Sequence, residues 1–290
     1  MQHPSSRLLG NGTRLHLQHG PIDLIIGLDA ASGETRAQVF QSASRRFDTV
    51  LSELVEELPL LKSAGARAQP KGRVAQRMVQ AIRPHEATIF VTPMAAVAGA
   101  VADEILETIT QNAAPPRAYV NNGGDIALHL NKGTTYAALI AGLDGAVHGR
   151  IDIDAATPVR GIATSGRGGR SLSLGIADNV TVLASTAATA DVAATLIANA
   201  VNLPDHAAIS RSPAHDLDPD SDLGARLVTT DVGPLTPKDI ARALEAGQQA
   251  AQTMVQSGLI EGAALFLRHT QRIVGRLPHN PTQYEVTRYA

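Results

Sequence analysis

The chain has 290 residues, with 25 Lys and Arg against 27 Asp and Glu, which gives a formal net charge of −2. This balance argues against a protein that binds nucleic acid or a membrane surface, because both classes usually carry a basic excess. There are no cysteines, which excludes disulfides, thiolate metal sites and thiol nucleophiles. Hydrophobic residues make up 44% and aromatic ones only 3%, so the sequence predicts a core built mainly of Ala, Val, Leu and Ile.

Neither a leader nor a membrane span is predicted. Residues 1–12 are polar and lack the apolar run that a signal peptide needs. No window approaches the ~18 apolar residues that a transmembrane helix requires. We therefore expect a cytoplasmic protein with no membrane partner, folded as one domain over 1–290 with peripheral tails at 1–13 and 278–290.

Hydrophobic patterning predicts hairpins and separate helices. Alternation of apolar and polar residues marks the strands, and apolar residues at three- and four-residue steps mark the helices. In chain order we expect two strands within 14–28, helices over 36–58 and 73–83, a strand at 88–91, a helix from Pro93 to Leu106, strands at 117–121, 126–130, 135–141, 150–154, 160–164 and 180–184, a helix over 186–201, an exposed loop at 205–222, a strand at 227–232, a helix from 236 to 258 and a hairpin at 263–274. This mixture favours an α+β fold over an alternating parallel-sheet fold.

The densest polar segment follows the strand at 160–164. It contains Thr164, Ser165, Gly166, Arg167 and Arg170, together with two further glycines. Glycines let successive backbone N–H groups converge on an anion, and the arginines can donate paired hydrogen bonds to a phosphate or carboxylate. The alternative is a flexible turn with solvated arginines.

A second segment, Asn122-Gly123-Gly124-Asp125, can form another ligand loop. Its paired glycines allow positive φ and a close approach of backbone amides to a ligand. Asp125 could then order the loop or bind a metal or a ribose hydroxyl. The alternative is a hairpin turn in which Asp125 caps its own backbone.

Two further carboxylates are candidates. Asp191 and Thr195 are four residues apart on the predicted helix, so both side chains project from one face, and their oxygens suit Mg²⁺ better than zinc. The alternative is an acid favoured by the helix dipole in the first turn. Asp178 stands just before the next strand, as a ligand or as a turn former.

Five segments follow one another along the chain: Pro93-Met94-Ala95-Ala96-Val97-Ala98-Gly99-Ala100, Asn122-Gly123-Gly124-Asp125-Ile126, Gly161-Ile162-Ala163-Thr164-Ser165-Gly166, Ser171-Leu172-Ser173-Leu174-Gly175-Ile176-Ala177-Asp178 and Ala190-Asp191-Val192-Ala193-Ala194-Thr195. Taken in this order, they resemble the uncharacterised cytoplasmic branch of the ApbE-like superfamily, distant relatives of the FAD:protein FMN transferases. The resemblance covers residues 14–202 and implies a T-fold-like ApbE-type domain, with an antiparallel sheet packed against helices.

The resemblance also implies roles for the candidate residues. In the transferases, the segment matching Gly123-Gly124 helps to hold the flavin nucleotide, and the acid and threonine matching Asp191 and Thr195 coordinate Mg²⁺ beside the pyrophosphate. The stretch matching 163–166 lines the same cleft. A histidine-containing segment that follows in the transferases has no histidine here, where residues 170–174 read Arg-Ser-Leu-Ser-Leu.

These observations lead to a main hypothesis and two alternatives. The main one is an ApbE-like protein that binds FAD, FMN or a similar anionic heterocycle with Mg²⁺, as a transferase-type enzyme acting at a phosphate. Asp125 or Asp178 would be the base, and the anion would be held by Asn122, Gly123, Gly124, Thr164, Ser165, Gly166, Arg167 and Arg170. The alternatives are a hydrolase or isomerase of a small cyclic amide or carboxylic acid, and a non-catalytic flavin carrier. By analogy we also expect a homodimer.

Overall fold

The computed structural model of the protein describes residues 3–30, 32–65, 69–141, 147–277 and 279–280. Two compact units make up the chain. The first comprises 1–134, 158–163 and 184–192, and the second comprises 135–157, 164–183 and 193–290. Of the predicted tail at 278–290, only 279–280 lie within the described residues. The single domain over 1–290 stays a prediction.

The helices and strands are named here in chain order. The strands are β1 Ser5–Leu9, β2 Arg14–His19, β3 Ile22–Leu28, β4 Arg117–Asn122, β5 Asp125–Leu130, β6 Thr135–Ala141, β7 Val147–Asp154, β8 Gly161–Ser165, β9 Asn179–Ala184, β10 Ile209–Pro213, β11 Leu227–Val232, β12 Gly262–Leu267, β13 Thr270–Gly275 and β14 His279–Asn280. The helices are α1 Gly33–Glu56, α2 Leu58–Leu61, α3 Arg73–Ile82, α4 Val97–Asn112, α5 Ala187–Ala200, α6 Ala214–Leu217 and α7 Pro237–Gln256, with a 3₁₀ turn at Pro93–Ala96.

In the first unit, β1 to β5 lie side by side in chain order, each antiparallel to the next. The start of β8 continues this order, since Ile126 and Ala127 of β5 pair with Ile162 and Gly161. Helix α4 packs on β4 and β5, and α1 and α3 pack on α4. The buried side chains between these layers include Leu24, Ile26, Phe47, Met78, Ile105 and Ile109.

Helix α1 shows why the sequence pattern predicted this unit well. Ser32 caps the helix, because its hydroxyl accepts a hydrogen bond from the Thr35 N–H at 3.1 Å. The apolar stripe runs along one face, and its members Val39, Phe40, Ala43, Phe47, Val50 and Leu54 are all buried. A helix with one apolar face is held mainly by burying that face against its neighbours.

The second unit contains separate antiparallel groups of strands. Strand β12 lies between β9 and β13, and α7 packs on β12 and β13. Strand β7 lies between β6 and β14, and β10 pairs with β11. Helix α7 begins with a capping box, in which Thr236 and Asp239 each bond to the other's backbone N–H. Both units combine helices with antiparallel sheet, which confirms the α+β class.

Two segments differ from the expected pattern. The strand predicted at Thr88–Val91 is wrong, because the N–H groups of Thr88 and Ile89 both bond to the His85 carbonyl at 3.1 Å, which turns the backbone. The segment 205–222, predicted as an exposed loop, contains β10 and the short helix α6. Its side chains from 215 to 220 are nevertheless exposed.

Within the described part of the chain, no helix combines the length and the apolar character needed to cross a membrane.

Candidate functional site

The sequence-predicted site residues fall into two groups, one in each unit. The first unit contains Asn122, Gly123, Gly124, Asp125 and Asp191. The second unit contains Thr164, Ser165, Gly166, Arg167, Arg170, Asp178 and Thr195. Each group is described by itself.

Gly123 and Gly124 form the two-residue turn between β4 and β5. Both have positive φ, 64° and 116°, the conformation that a tight hairpin turn of this kind needs and that glycine adopts without strain. The Gly124 N–H donates to the Asn121 side-chain oxygen at 2.8 Å. The segment therefore forms the hairpin turn of the alternative, with Asn121 making this side-chain bond. The capping role of Asp125, and a role for the turn in holding a ligand, stay predictions.

Asn122 links this hairpin to the start of α4. Its buried side-chain amide donates to the Ala98 carbonyl at 3.1 Å, and its side-chain oxygen accepts from the Asp23 N–H at 3.3 Å. These bonds use the amide group of Asn122 to fix the turn against the first residues of the helix. We infer that Asn122 positions the turn.

Asp191 contributes a carboxyl group that is held at the beginning of α4. Its Oδ2 accepts a hydrogen bond from the Gly99 N–H at 3.0 Å, and the Ala98 N–H also donates to its carboxylate. The surrounding atoms remove water from the carboxyl group, and Asp125 and Asp103 repel its charge, so its pKa is raised well above the usual range. The residue keeps part of its surface exposed.

Asp103 on α4 makes the reciprocal contact. Its two carboxylate oxygens accept the Ala187 and Ala188 N–H groups, at 3.0 and 2.9 Å. An aspartate from each helix therefore accepts hydrogen bonds from N–H groups at the beginning of the other helix. These N–H groups have no partner within their own helix. Burial raises the pKa of Asp103 to about 6 in spite of these two bonds.

Glycine allows the two helices to come this close. A side chain added at Gly99 would place its Cβ 2.3 Å from the Ala187 carbonyl oxygen. A Cβ at Gly161 of β8 would lie 2.1 Å from the Thr186 carbonyl carbon. In both cases the obstacle is backbone, so only glycine fits, and the beginning of α5 is held between α4 and β8.

Asp103 predicts a pH dependence of stability. Its carboxyl group binds protons more tightly in the folded state, where its pKa is about 6, than in the unfolded state, where the ordinary value is 3.8. The contribution to the free energy of unfolding is therefore complete below pH 4 and is lost as pH rises through 6, by up to ~3 kcal/mol.

Urea unfolding of the wild type and Asp103→Asn across this pH range measures the contribution. The difference in unfolding free energy between the two proteins is expected to change most between pH 4 and pH 7. Asp216→Asn, which changes an exposed aspartate, is the control and is expected to leave the wild-type slope nearly unchanged. Parallel pH profiles for wild type and Asp103→Asn would contradict the assignment.

The first-unit group fits a hard divalent cation in charge and donor type. Two carboxylates, Asp125 and Asp191, lie close enough for one to raise the pKa of the other, and a cation between such groups would remove that repulsion. In the described residues, no three His, Asp or Glu side chains form a metal-binding group. Mg²⁺ is commonly held by only one or two carboxylates with water and substrate phosphates, so this donor set suits it.

In the second unit, Gly166 brings the loop after β8 against Asp178. Its φ is 145°, and an added Cβ would lie 2.7 Å from the Asp178 carbonyl oxygen. The next residue, Arg167, donates its backbone N–H to the Ala177 carbonyl at 2.9 Å. This glycine is needed for two chain segments to touch.

Asp178 is held on both carboxylate oxygens. The Arg167 guanidinium contacts Oδ1 through Nε at 3.0 Å and through Nη2 at 2.9 Å. Oδ2 accepts the backbone N–H of Arg268. A carboxylate engaged in this way orients its partners, and a role of Asp178 or Asp125 as a base stays a prediction.

The remaining predicted residues lie around the same loop. Thr164 and Thr181 share a hydrogen bond of 2.9 Å, and Thr195 donates to the Ser165 hydroxyl at 3.5 Å. Arg170 is exposed. Thr195 lies one turn after Asp191 in α5, and joint binding of a metal by these two residues stays a prediction.

Sequence reasoning missed several residues that contact the predicted ones. In the first unit these are Ala98, Gly99 and Asp103, and in the second unit Arg268. A signal for the first set is present in the sequence, because Gly99–Asp103 and Ala187–Asp191 repeat a small residue and an aspartate at the same spacing. No local pattern marks Arg268.

Comparison with known proteins gives a family match over most of the chain. A family model described as "AbpE bacteria" matches residues 6–276. The UPF0280 protein of Methanopyrus kandleri is 36% identical over 140 residues, covering 48% of this chain and 54% of that protein. The UPF0280 protein of Methanothermobacter thermautotrophicus is 40% identical over 155 residues, 52% of each chain. The chain spans about half the length of the curated relatives it matches.

Solved structures similar to the chain include two flavin transferases. The flavin transferase ApbE from Vibrio cholerae is 13% identical, with 93% of this chain and 97% of that chain covered and a TM-score of 0.40. The apo form of the flavinyl transferase ApbE from Pseudomonas stutzeri is 11% identical, with 96% of each chain covered and a TM-score of 0.42.

Proposed function

Because the chain belongs to the family described as "AbpE bacteria", we propose that it binds a flavin nucleotide, FAD or FMN, or a similar anionic heterocycle, with the help of Mg²⁺. The observation that carries this proposal is the pair formed by Asp191 and Asp125 in the first unit. The pKa of Asp191 is raised first by burial and then by the nearby charge of Asp125, while the residue keeps part of its surface exposed. A carboxyl group in such surroundings is suited to binding a cation that also binds a phosphate.

We propose the following roles for the residues of the first unit. Asp191 would hold the cation, with its carboxylate oriented by the Ala98 and Gly99 N–H groups. The Gly123–Gly124 turn would bring backbone amides to the phosphate groups, since no side chain obstructs it. When bound, Mg²⁺ would neutralise negative charge on the phosphates.

In this proposal the chemical step is cleavage or transfer at a phosphate. Asp125 would accept a proton from the attacking hydroxyl group, whose oxygen would bond to the phosphorus on the FMN side of FAD. The pyrophosphate P–O bond would then break, and AMP would leave.

Thermal unfolding with FAD or FMN, each with Mg²⁺ or with EDTA, tests the proposal. A ligand at one hundred times its Kd stabilises the native state by ~2.7 kcal/mol, which corresponds to several degrees for a chain of this size. We expect this shift with Mg²⁺ and a much smaller one with EDTA.

Other results of these measurements would support the two alternative functions, a hydrolase or isomerase and a non-catalytic flavin carrier. A shift with small carboxylic acids or cyclic amides but with neither flavin nucleotide would overturn flavin binding and support the hydrolase or isomerase. Flavin binding with no release of AMP or FMN over long incubation with FAD would support the carrier. Equal shifts in Mg²⁺ and EDTA would overturn the metal's role.

A further inference from the structure

The second unit contains a cavity of about 360 Å³ that lies partly outside the sequence-predicted residues. Its lining includes two of the sequence-predicted site residues, Arg167 and Asp178, and also His148, Phe266, Arg268 and His269. This volume is at the lower end of the range for small-molecule sites. It suits a ligand of one or two rings.

One wall of the cavity is aromatic. The rings of His148 and Phe266 stack with their centroids 4.9 Å apart and their planes at 28°. Phe266 is buried in β12, while His148 on β7 is partly exposed. In a chain with only 3% aromatic residues, this stack offers a flat apolar surface to a planar ring.

Side chains that can donate hydrogen bonds to an anion also line the cavity. The Arg167 guanidinium is fixed by its contacts to Asp178 through Nε and Nη2, which leaves Nη1 without a protein acceptor among the described residues. His269 is exposed, and in the described part of the chain its ring makes no hydrogen bond. With two arginines and one aspartate, the lining carries a positive charge that favours an anion.

The turn between β12 and β13 is held in an unusual conformation at this cavity. Arg268 has φ 48°, a left-handed conformation that costs ~1 kcal/mol or more for a residue other than glycine. Its backbone N–H donates to Asp178, and its guanidinium donates to the carbonyls of Val232 and Gly233. These bonds fix the turn that carries His269.

We propose that this cavity binds a small planar ring acid, a compound of one or two aromatic rings bearing a carboxylate or phosphate group. The ring packs against Phe266 and His148, and the anionic group accepts hydrogen bonds from Arg167 and His269. The proposal uses only residues of the second unit and no metal, so it does not rest on the proposed function.

Binding of quinaldate, a two-ring carboxylate, to the full chain in EDTA tests this inference. Its neutral amide, quinaldamide, and inorganic phosphate are the comparison probes. We expect quinaldate to move the ring NMR signals of His148 and His269 and to bind at least about tenfold more tightly than either probe, because only quinaldate offers both the ring and the charge.

Three variants locate the site. Arg167→Gln removes a cationic donor, His269→Ala removes a ring N–H donor, and Phe266→Leu removes the flat surface while keeping an apolar side chain. Each is expected to weaken quinaldate binding by about fivefold or more. His269 is exposed, so its variant is expected to fold even where Arg167→Gln does not. His215→Ala, which changes an exposed histidine of the same unit, is the control.

Three results would overturn the proposal. The first is equal affinity for quinaldate and quinaldamide. The second is unchanged quinaldate binding in both Phe266→Leu and His269→Ala. The third is the absence of any change in the His148 and His269 signals at millimolar quinaldate. Because no metal is present in these measurements, failure of Mg²⁺-dependent flavin binding leaves the expected results unchanged.

Discussion

Gly99→Ala is expected to lower the free energy of unfolding by about 3 kcal/mol or more, a large part of the stability of an ordinary domain. The added Cβ would lie 2.3 Å from the Ala187 carbonyl oxygen and 2.7 Å from the Ala188 nitrogen. Both atoms are backbone at the beginning of α5, so no side chain can rotate away. The helices must separate, and the bonds that join them through Asp191 and Asp103 must lengthen.

Urea unfolding measures this effect as a fall in the midpoint concentration with an unchanged slope. Gly33→Ala is the matched control, since Gly33 also lies in the first turn of a helix but has no atom within 4 Å of its added Cβ. The control is expected to change the unfolding free energy by no more than ~0.5 kcal/mol.

A second variant tests whether the added Cβ at position 99 is obstructed by the backbone of Ala187 or by its side chain. Ala187→Gly removes only a methyl group and leaves the obstructing carbonyl in place. The double variant Gly99→Ala with Ala187→Gly is therefore expected to be no more stable than Gly99→Ala. Recovery of stability in the double variant, or a loss of less than 1 kcal/mol in Gly99→Ala, would show that the helices are not held in this close contact.

The helices, strands and turns that were predicted correctly are those whose sequence patterns lie within a short stretch of the chain. The apolar stripe of α1 and the paired glycines between β4 and β5 each depend on residues close together in the chain. The strand predicted at Thr88–Val91 failed because four apolar or β-branched residues do not determine whether their N–H groups pair across a sheet or turn back to His85. Short segments are decided by their neighbours in space.

Residue types in the sequence were enough to select candidate site residues. They were not enough to predict which distant residues contact them. Asp191, Gly123 and Gly124 were selected because their residue types suit a metal and a phosphate. The partner that orients Asp191 is the Gly99 N–H, which is 92 residues away in the chain, and no local pattern connects the two. In the second unit, the contact between Asp178 and Arg268, 90 residues apart, had no local signal for the same reason.

Asp191→Asn is expected to remove the Mg²⁺ dependence of flavin-nucleotide binding and to weaken binding in Mg²⁺ by about ten- to a hundredfold. Asparagine has nearly the same shape, and its side-chain oxygen can still accept the Gly99 N–H. What it loses is the negative charge, and a charged hydrogen-bond partner contributes ~1.5–3 kcal/mol. Calorimetric titration with FAD in Mg²⁺ and in EDTA measures both affinities.

Asp103→Asn is the matched control for this measurement. It also removes a carboxylate that caps the neighbouring helix, at the reciprocal position of the same helix pair. Asp103 is expected to act only on stability, so the variant should keep the Mg²⁺ dependence of the wild type. Loss of that dependence in both variants would mean that disturbing the helix pair is sufficient, and the assignment of Asp191 to the cation would fail.

A metal-binding role and a structural role for Asp191 also predict opposite effects on stability without metal. Burial and repulsion by Asp125 disfavour the charged form of Asp191, so Asp191→Asn in EDTA at neutral pH should unfold at a higher temperature than the wild type. If the carboxylate served only to cap α4, removing its charge would lower the unfolding temperature. A more stable variant that no longer responds to Mg²⁺ is the result expected for an acid whose charge is retained for a ligand.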